Sequence, residues 1–411
     1  MPDIIDPHYK ENQYQKRLLQ KRLWAEQRFR GLGILGLLLA SSMLALLLGS
    51  ILYNGAQGFI TEKLHIDVFF DAQKIDPGGM REEKTLRNYN YDRLVYARIY
   101  EIAGLTSRKD KRRARQLLQV SASNQLRQMV LNTPDVLGST QQVVLNVANT
   151  ENNPAAEALR VKGYLKKQFN WNFFIGTESS DAGEYGILGA LAGSFWTILI
   201  CFLISFPMGV ITAVYLEEFA PQNRITDFIE ININNLAAVP SIVFGLMGAI
   251  VFVTWLRIPQ STALVGGMVL SLLTLPTIIV AARAALKSVS KSYKQAAIGL
   301  GASEQQAVLH FVLPSAVPGI MTGTIIGLAG ALGETAPLML IGLVGFLDGI
   351  PATPLDTAPT LATSIFNLFG KPTAEFSQYL SNSTIIVLLF LLVLLNGSAA
   401  WIRAKTEKKN S

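Results

Sequence analysis

An acidic side chain inside an apolar run is where chemistry in this sequence would begin. Glu334 lies in the stretch Thr322-Gly323-Thr324-Ile325-Ile326-Gly327-Leu328-Ala329-Gly330-Ala331-Leu332-Gly333-Glu334-Thr335-Ala336-Pro337-Leu338, the only acidic residue well inside any long apolar segment. A charge in hydrocarbon costs on the order of 2.5–3.5 kcal/mol or more, so this carboxylate is expected to face a cavity or a partner. Pro337 has no N–H and would leave the Gly333 carbonyl without its helical donor. Freed backbone groups at that depth are tolerated only inside protein or beside water. Glu334, Thr335 and Gly333 are therefore expected to line a polar path, the alternative being a structural Glu that pairs with a neighbouring subunit. Gly319, Gly323 and Gly327 recur every four residues, a stripe for close helix contact, with Pro337 as a further packing position on the same segment.

The elements that must position these residues cross a membrane. Half of the 411 residues are apolar and 16% are charged, against about 25% charged in an ordinary soluble domain. Six apolar stretches reach the roughly 20 residues needed to span a bilayer, at 31–53, 187–215, 235–256, 264–284, 319–347 and 383–402. The first, Gly31 to Tyr53, is charge-free. It exceeds the apolar core of a signal peptide and no small-x-small site follows it, so it is expected to be a retained anchor.

Lys and Arg in short loops set orientation. Lys10, Lys16, Arg17, Lys21, Arg22, Arg28 and Arg30 precede the first span; Arg283, Lys287, Lys291 and Lys294 follow the fourth; Arg403, Lys405, Lys408 and Lys409 follow the sixth. All fall on one side, expected to be the cytoplasm, with both termini there. The opposite loops 257–263 and 348–382 hold only Arg257 and Lys371. The expected divisions are a basic N-terminus 1–30, helix 31–53, an external insert 54–186, a bundle 187–403 with a cytoplasmic loop 285–318, and a tail 404–411. Arg93–Ile102 and Arg112–Met129 carry helical apolar spacing. The cluster Arg108, Lys109, Lys111, Arg112, Arg113 and Arg115 reads as a solvated face or an anion-gathering patch.

The net charge of +7 is expected to meet lipid headgroups rather than nucleic acid. Cys201 stands alone, so no disulfide framework exists within the chain. His8, His65 and His310 are scattered, and no metal or cofactor is expected. No phosphate-cradling Gly-rich loop with Lys-Ser/Thr occurs, so the chain is not expected to be an enzyme.

The loop after the fourth span reads Lys294-Gln295-Ala296-Ala297-Ile298-Gly299-Leu300-Gly301, continuing to Phe311-Val312-Leu313-Pro314. It resembles the EAA loop of ABC-importer permeases. Ala296, Ala297, Gly301, Leu313 and Pro314 stand at the family's spacing, and Gln295 replaces the usual Glu. The resemblance implies two short helices that fit a groove on an ATPase. Small Ala residues permit close approach, Gly301 takes the turn and Pro314 helps end the second helix.

Tyr215-Leu216-Glu217-Glu218-Phe219, Asn235 through Leu246 with its Val239-Pro240-Ser241, and Gly333-Glu334-Thr335-Ala336-Pro337 resemble phosphate permeases of the PstA family over 187–403. The first third looks like the extended variants that carry an added domain. The implied fold is an all-α polytopic membrane protein: six transmembrane helices of the ABC-importer permease type, with a mainly helical periplasmic domain between the first two. The implied role is the permease of an ATP-driven inorganic phosphate importer in a bacterial inner membrane. The implied partners are a second homologous permease (PstC-like), an ATPase dimer (PstB-like) and a periplasmic phosphate-binding protein (PstS-like). Where the family commonly carries Arg, four residues before the Glu, this chain has Gly330. The anion-binding cation is then expected from the partner permease or from Arg283, with Arg257 a weaker candidate. A sulfate or molybdate permease, and a membrane-anchored phosphate-signalling regulator, remain the alternatives.

Overall fold

The computed structural model describes residues 7–118, 120–147, 150, 153–180, 182–343 and 349–410, with the side chains at 7–18, 20, 120–121 and 406–410 outside that description. The basic side chains of Lys10, Lys16, Arg17, Lys408 and Lys409, His8, and residues 344–347 of the fifth expected span thus lie outside the described residues. The chain divides into two compact units, Met1–Tyr53 and Asn54–Ser411.

Helix α1 runs Pro7–Gly58, and its apolar stretch from Lys21 is long enough to cross a membrane. Its described side chains up to Leu48 are exposed within its own unit.

In the second unit the chain opens with strand β1 (Ile60–Phe69). It pairs antiparallel with β2 (Thr140–Asn146), Phe69 opposite Thr140, and with β3 (Leu165–Phe169), Ile60 opposite Phe169. Leu64, Ile66 and Val68 alternate with polar neighbours and are buried, because successive strand side chains point to opposite faces. Helix Asp92–Ala103 buries Val95, Ile99 and Ile102 at helical spacing against the same core. The expected helix over 112–129 is two helices, Arg108–Ala114 and Val120–Asn132, with a 3-10 turn at Arg115–Leu117. The three-stranded sheet is an addition to the mainly helical expectation for this region.

The bundle follows. Helix α2 (Leu188–Val214) passes into a π-turn at Tyr215–Phe219. Helices α3 (Arg224–Ala237) and α4 (Ser241–Gly248, continued by a π-helical segment to Trp255) are bent by 98° at Ala238-Val239-Pro240. Helix α5 (Ala263–Ser288) is followed by α6 (Lys291–Gly299), α7 (Glu304–Ala307) and α8 (Leu313–Leu332). After a break come α9 (Ala336–Leu340), α10 (Leu361–Phe369) and α11 (Ser381–Asn410). Among the described residues, five helices are long and apolar enough to cross a membrane, and six if the bent pair is one span.

Two expected spans change shape. The third is not a straight 235–256 helix: its first residues belong to α3 and it turns at Pro240, since the residue before a proline is driven out of the helical region. The fifth starts in the loop, at Glu304, and its helix ends at Leu332 rather than running from 319 to 347.

Helices α5 and α8 pack through small residues. A Cβ added at Gly319 would lie 2.8 Å from the Ala285 Cβ, and one at Gly323 only 2.3 Å from the Ala281 Cβ; Gly327 faces Thr277 Cγ2 at 3.6 Å. Before α2, the buried Glu178 accepts a 2.6 Å hydrogen bond from the Ser364 hydroxyl of α10. Burial raises its pKa, against the opposing effects of that bond and of Lys371.

Gly323→Leu is expected to cost about 1–3 kcal/mol through overpacking, read as a lower unfolding midpoint in detergent. Gly330→Ala, whose added carbon meets nothing within 4 Å, should leave the midpoint unchanged or slightly higher. A raised carboxyl pKa means that the folded chain holds the proton more tightly than the unfolded one. That contribution is complete below the ordinary carboxylate value and is lost as pH rises through the raised one. Glu178→Gln should therefore gain stability relative to the wild type as pH goes from about 5 to about 8; a constant difference would contradict the burial cause.

Candidate functional site

The break after α8 gathers Gly333, Glu334 and Thr335. Gly333 caps α8, its N–H bonded to the Gly330 carbonyl at 3.2 Å, and the Glu334 N–H bonds to the Ala331 carbonyl at 3.2 Å. The Thr335 carbonyl accepts from the Met339 N–H at 3.0 Å, the first turn of α9. Pro337 sits near the start of that helix, where a missing N–H costs nothing because first-turn donors have no helical acceptor. The Gly333 carbonyl is thus freed by the end of α8 itself, and not by Pro337 interrupting a continuous helix as the sequence suggested.

Gly333 is exposed, while Glu334 and Thr335 are half-buried. The Glu334 carboxylate has no hydrogen bond or ion pair among the described residues. Depth follows from contacts on either side. Gly327 meets Thr277, and a Cβ at Gly266 would lie 3.4 Å from Leu338 Cδ2. Glu334 therefore stands level with the part of α5 between Thr277 and Gly266, in the half of the bundle toward the start of α5, rather than at mid-span. Pro337 is clamped by α4: a Cβ on Gly245 would lie 2.5 Å from the Pro337 Cα and 2.8 Å from its carbonyl oxygen. The helix that follows the bend thus touches the helix that follows the break.

The loop forms a helix–turn–helix elbow. Ser290 caps α6, and Gly301 takes φ +91°, a left-handed conformation that favours glycine. Its N–H bonds to the Ile298 carbonyl at 2.9 Å and that of Ala302 to the Ala297 carbonyl at 3.1 Å. Ser303 and Gln306 form a reciprocal capping box that starts α7. Ala297 is buried beneath the elbow, whereas Gln295 and Ala296 are exposed. Leu300 at the tip is 91% exposed, with Ile298, Tyr293, Leu309 and Phe311 also outward.

Pro314 does not end the second short helix. Helix continues from Glu304 to Leu332 through a π-turn at Val308–Val312, in which the Leu313 N–H reaches back to the Val308 carbonyl. The wider turn accommodates the donor that Pro314 lacks. Leu313 is half-buried and Pro314 exposed, at the first turn of α8.

Arg283 belongs to a third place. Its Nη2 is 2.6 Å from Glu230 Oε1 on α3, and its Nε 3.4 Å from Glu217 Oε2 on the π-turn after α2. Lys287 Nζ lies 3.5 Å from the same Glu217 oxygen. Lys294 Nζ, on α6, bridges Glu218 Oε2 at 3.0 Å and Glu304 Oε1 at 2.9 Å. Burial disfavours the Lys294 ammonium, but hydrogen bonds to Glu304 and Glu218 outweigh it and raise its pKa. Arg283 lies about two α5 residues beyond the Gly323 contact, so Glu334 is roughly three helical turns away. The structure brings Gly333, Glu334, Thr335 and Pro337 together, builds the elbow from Gln295, Ala296, Ala297 and Gly301, and places Arg283 with neither. Glu217 and Glu218 appeared in the sequence only within the motif that carries the family resemblance, without a partner, and Glu230 and Glu304 were not singled out; the signal for all four is that acidic residues face basic ones at the ends of spans.

The sequence of this bundle matches a known class of membrane protein. Residues 205–408 fit the profile of the binding-protein-dependent transport system inner membrane component, and 16–155 fit a domain of unknown function (DUF3333). The probable ABC transporter permease protein YqgI of Bacillus subtilis is 32% identical over 256 residues, covering 59% of this chain and 86% of that protein. The phosphate transport system permease protein PstA 2 of Mycobacterium bovis is 30% identical over 229 residues, covering 55% and 74%. The solved MetNI methionine ABC transporter in inward-facing conformations aligns over 54% of this chain and 94% of its own, at 20% identity and a TM-score of 0.39. The chain belongs to the ABC-transporter permeases, multi-pass membrane subunits that are not themselves enzymes. Within that family its similarity extends to permeases named PstA.

Gly301→Ala is expected to strain the elbow by about 1 kcal/mol and to speed hydrogen exchange across α6 and α7. Gly299→Ala, inside α6 with open space around it, should slow exchange there, since Ala favours helix over Gly by about 1 kcal/mol.

Proposed function

We propose that this chain is a permease subunit of an ATP-driven importer of inorganic phosphate. The observation that carries the reading is Glu334: a carboxylate without a partner among the described residues, beside exposed backbone, at an interrupted span. The PstA names of relatives support the substrate. Phosphate at neutral pH keeps a proton and donates a hydrogen bond to a carboxylate. Fully ionised sulfate has none to give and is repelled. The discrimination is by an unfavourable contact against the competitor.

Gly330 leaves open space four residues before Glu334, and the anion's positive counterpart comes from the second, homologous permease. The outward apolar side chains of the elbow, with Leu300 foremost, suit a groove on an ATPase subunit, since such exposed patches mark interaction sites. In this arrangement the basic elbow flank and both termini face the cytoplasm, following the positive-inside rule. Residues 54–186 face the periplasm, where a phosphate-binding protein delivers substrate. An ATPase dimer drives alternating access through the elbow.

In proteoliposomes holding the complete transporter, Glu334→Gln is expected to reduce phosphate uptake by about ten- to a hundredfold, the worth of a hydrogen bond to a charged group. Excess sulfate should inhibit the variant more than the wild type. Unchanged uptake with unchanged selectivity would refute the role of Glu334.

A further inference from the structure

The charged residues at the end of the bundle connect the elbow to the broken span through a continuous set of contacts. Glu217 and Glu218 are neighbours on the π-turn that closes α2. Adjacent residues on a helical turn point in different directions, and these two do so toward different elements. Glu218 takes Lys294 of the elbow, and Lys294 also holds Glu304, so α6 and α7 are fixed to α2 through one ammonium. Glu217 takes Arg283 and Lys287 of α5 at nearly equal lengths, 3.4 and 3.5 Å. Arg283 makes its short contact, 2.6 Å, to Glu230 of α3. Beyond the 98° bend, α3 becomes α4, and α4 places Gly245 against Pro337, three residues past Glu334.

The inner members are screened from water: the side chains of Arg283, Glu217 and Glu218 are 15%, 17% and 13% exposed, while Glu304 at the outer end is 60% exposed. Removing one member of a partly buried pair leaves its partner uncompensated.

We propose that the pairs Glu304–Lys294–Glu218 and Glu217–Arg283–Glu230 are the linkage that passes movement of the elbow to the bent α3–α4 pair, and so to the Glu334 break. Arg283 and Glu230 are positioning residues in this scheme and do not touch the transported anion. The proposal rests on the importer reading above. Energetic coupling of this kind travels through salt-bridge networks and rigid elements in contact, and it is established by measuring the coupling.

The test uses the complete transporter with its second permease, ATPase dimer and binding protein in proteoliposomes, with radiolabelled inorganic phosphate inside-uptake and ATP hydrolysis read together. Glu230→Arg is expected to cut uptake by at least about tenfold, within the range typical of coupling between sites, while the ATPase still co-purifies and hydrolyses ATP. Combining Glu230→Gln with Arg283→Gln should lose little more uptake than the worse of the two single variants, the non-additivity that a coupling energy predicts. Glu230→Gln carries the same test if Glu230→Arg does not assemble. Wild-type uptake by the single variants, fully additive losses in the double variant, or parallel loss of uptake and hydrolysis would each overturn the linkage. A wild-type transporter that takes up no phosphate would overturn the importer reading itself, and the linkage with it.

Discussion

The last carbonyls of a helix must find donors in protein or water, and that constraint governs the break between α8 and α9. Helix α8 ends at Leu332, and its last carbonyls are only partly recaptured by the N–H groups of Gly333 and Glu334. The surrounding architecture follows. Gly319 and Gly323 let α8 lie hard against α5. Helix α9 restarts at once, with Pro337 where no donor is required. Helix α4 supplies Gly245, without which the Pro337 backbone could not approach. The cost of the interruption is spread over three neighbouring helices, and what it leaves is a half-buried carboxylate beside open backbone.

The same logic separates the two ends of the bundle. The Glu334 carboxylate has no hydrogen bond or ion pair among the described residues. At the elbow end, three cations and four carboxylates interlock within 2.6 to 3.5 Å. Charge is paired where the structure must hold and left open where an ion is proposed to pass.

Much of this was legible in the chain's pattern. Uninterrupted apolar runs place α1, α2, α5 and α11, and the four-residue glycine period identifies the α5–α8 contact face. The bend between α3 and α4 was not legible as a bend, because the chain stays apolar from Leu236 through Ala237-Ala238-Val239-Pro240 and on past Ile242, and composition does not register direction. Pro314 misled for a related reason: a π-turn absorbs a missing donor without ending the helix, and nothing in local spacing announces it. The alternation of Lys63, Leu64, His65, Ile66, Asp67 and Val68 has the two-residue period of a strand, yet it sits in a region whose remaining signals are helical. Arg283 is the instructive misplacement. A cation near a span reads as a ligand for an anion, but its partners Glu217 and Glu230 come from segments 66 and 53 residues away, and no sequence distance reveals that closure.

The central claim is that the break at Glu334 is exposed to one side of the membrane at a time, under control of the elbow. A single cysteine at Thr335, in a Cys201→Ala background of the assembled transporter, can be challenged from either side with a membrane-impermeant thiol reagent, with and without ATP. Labelling from one side without nucleotide that switches to the other side with ATP is the predicted result. A Thr335 cysteine that is never labelled, or is labelled from the same side in both conditions, would contradict it.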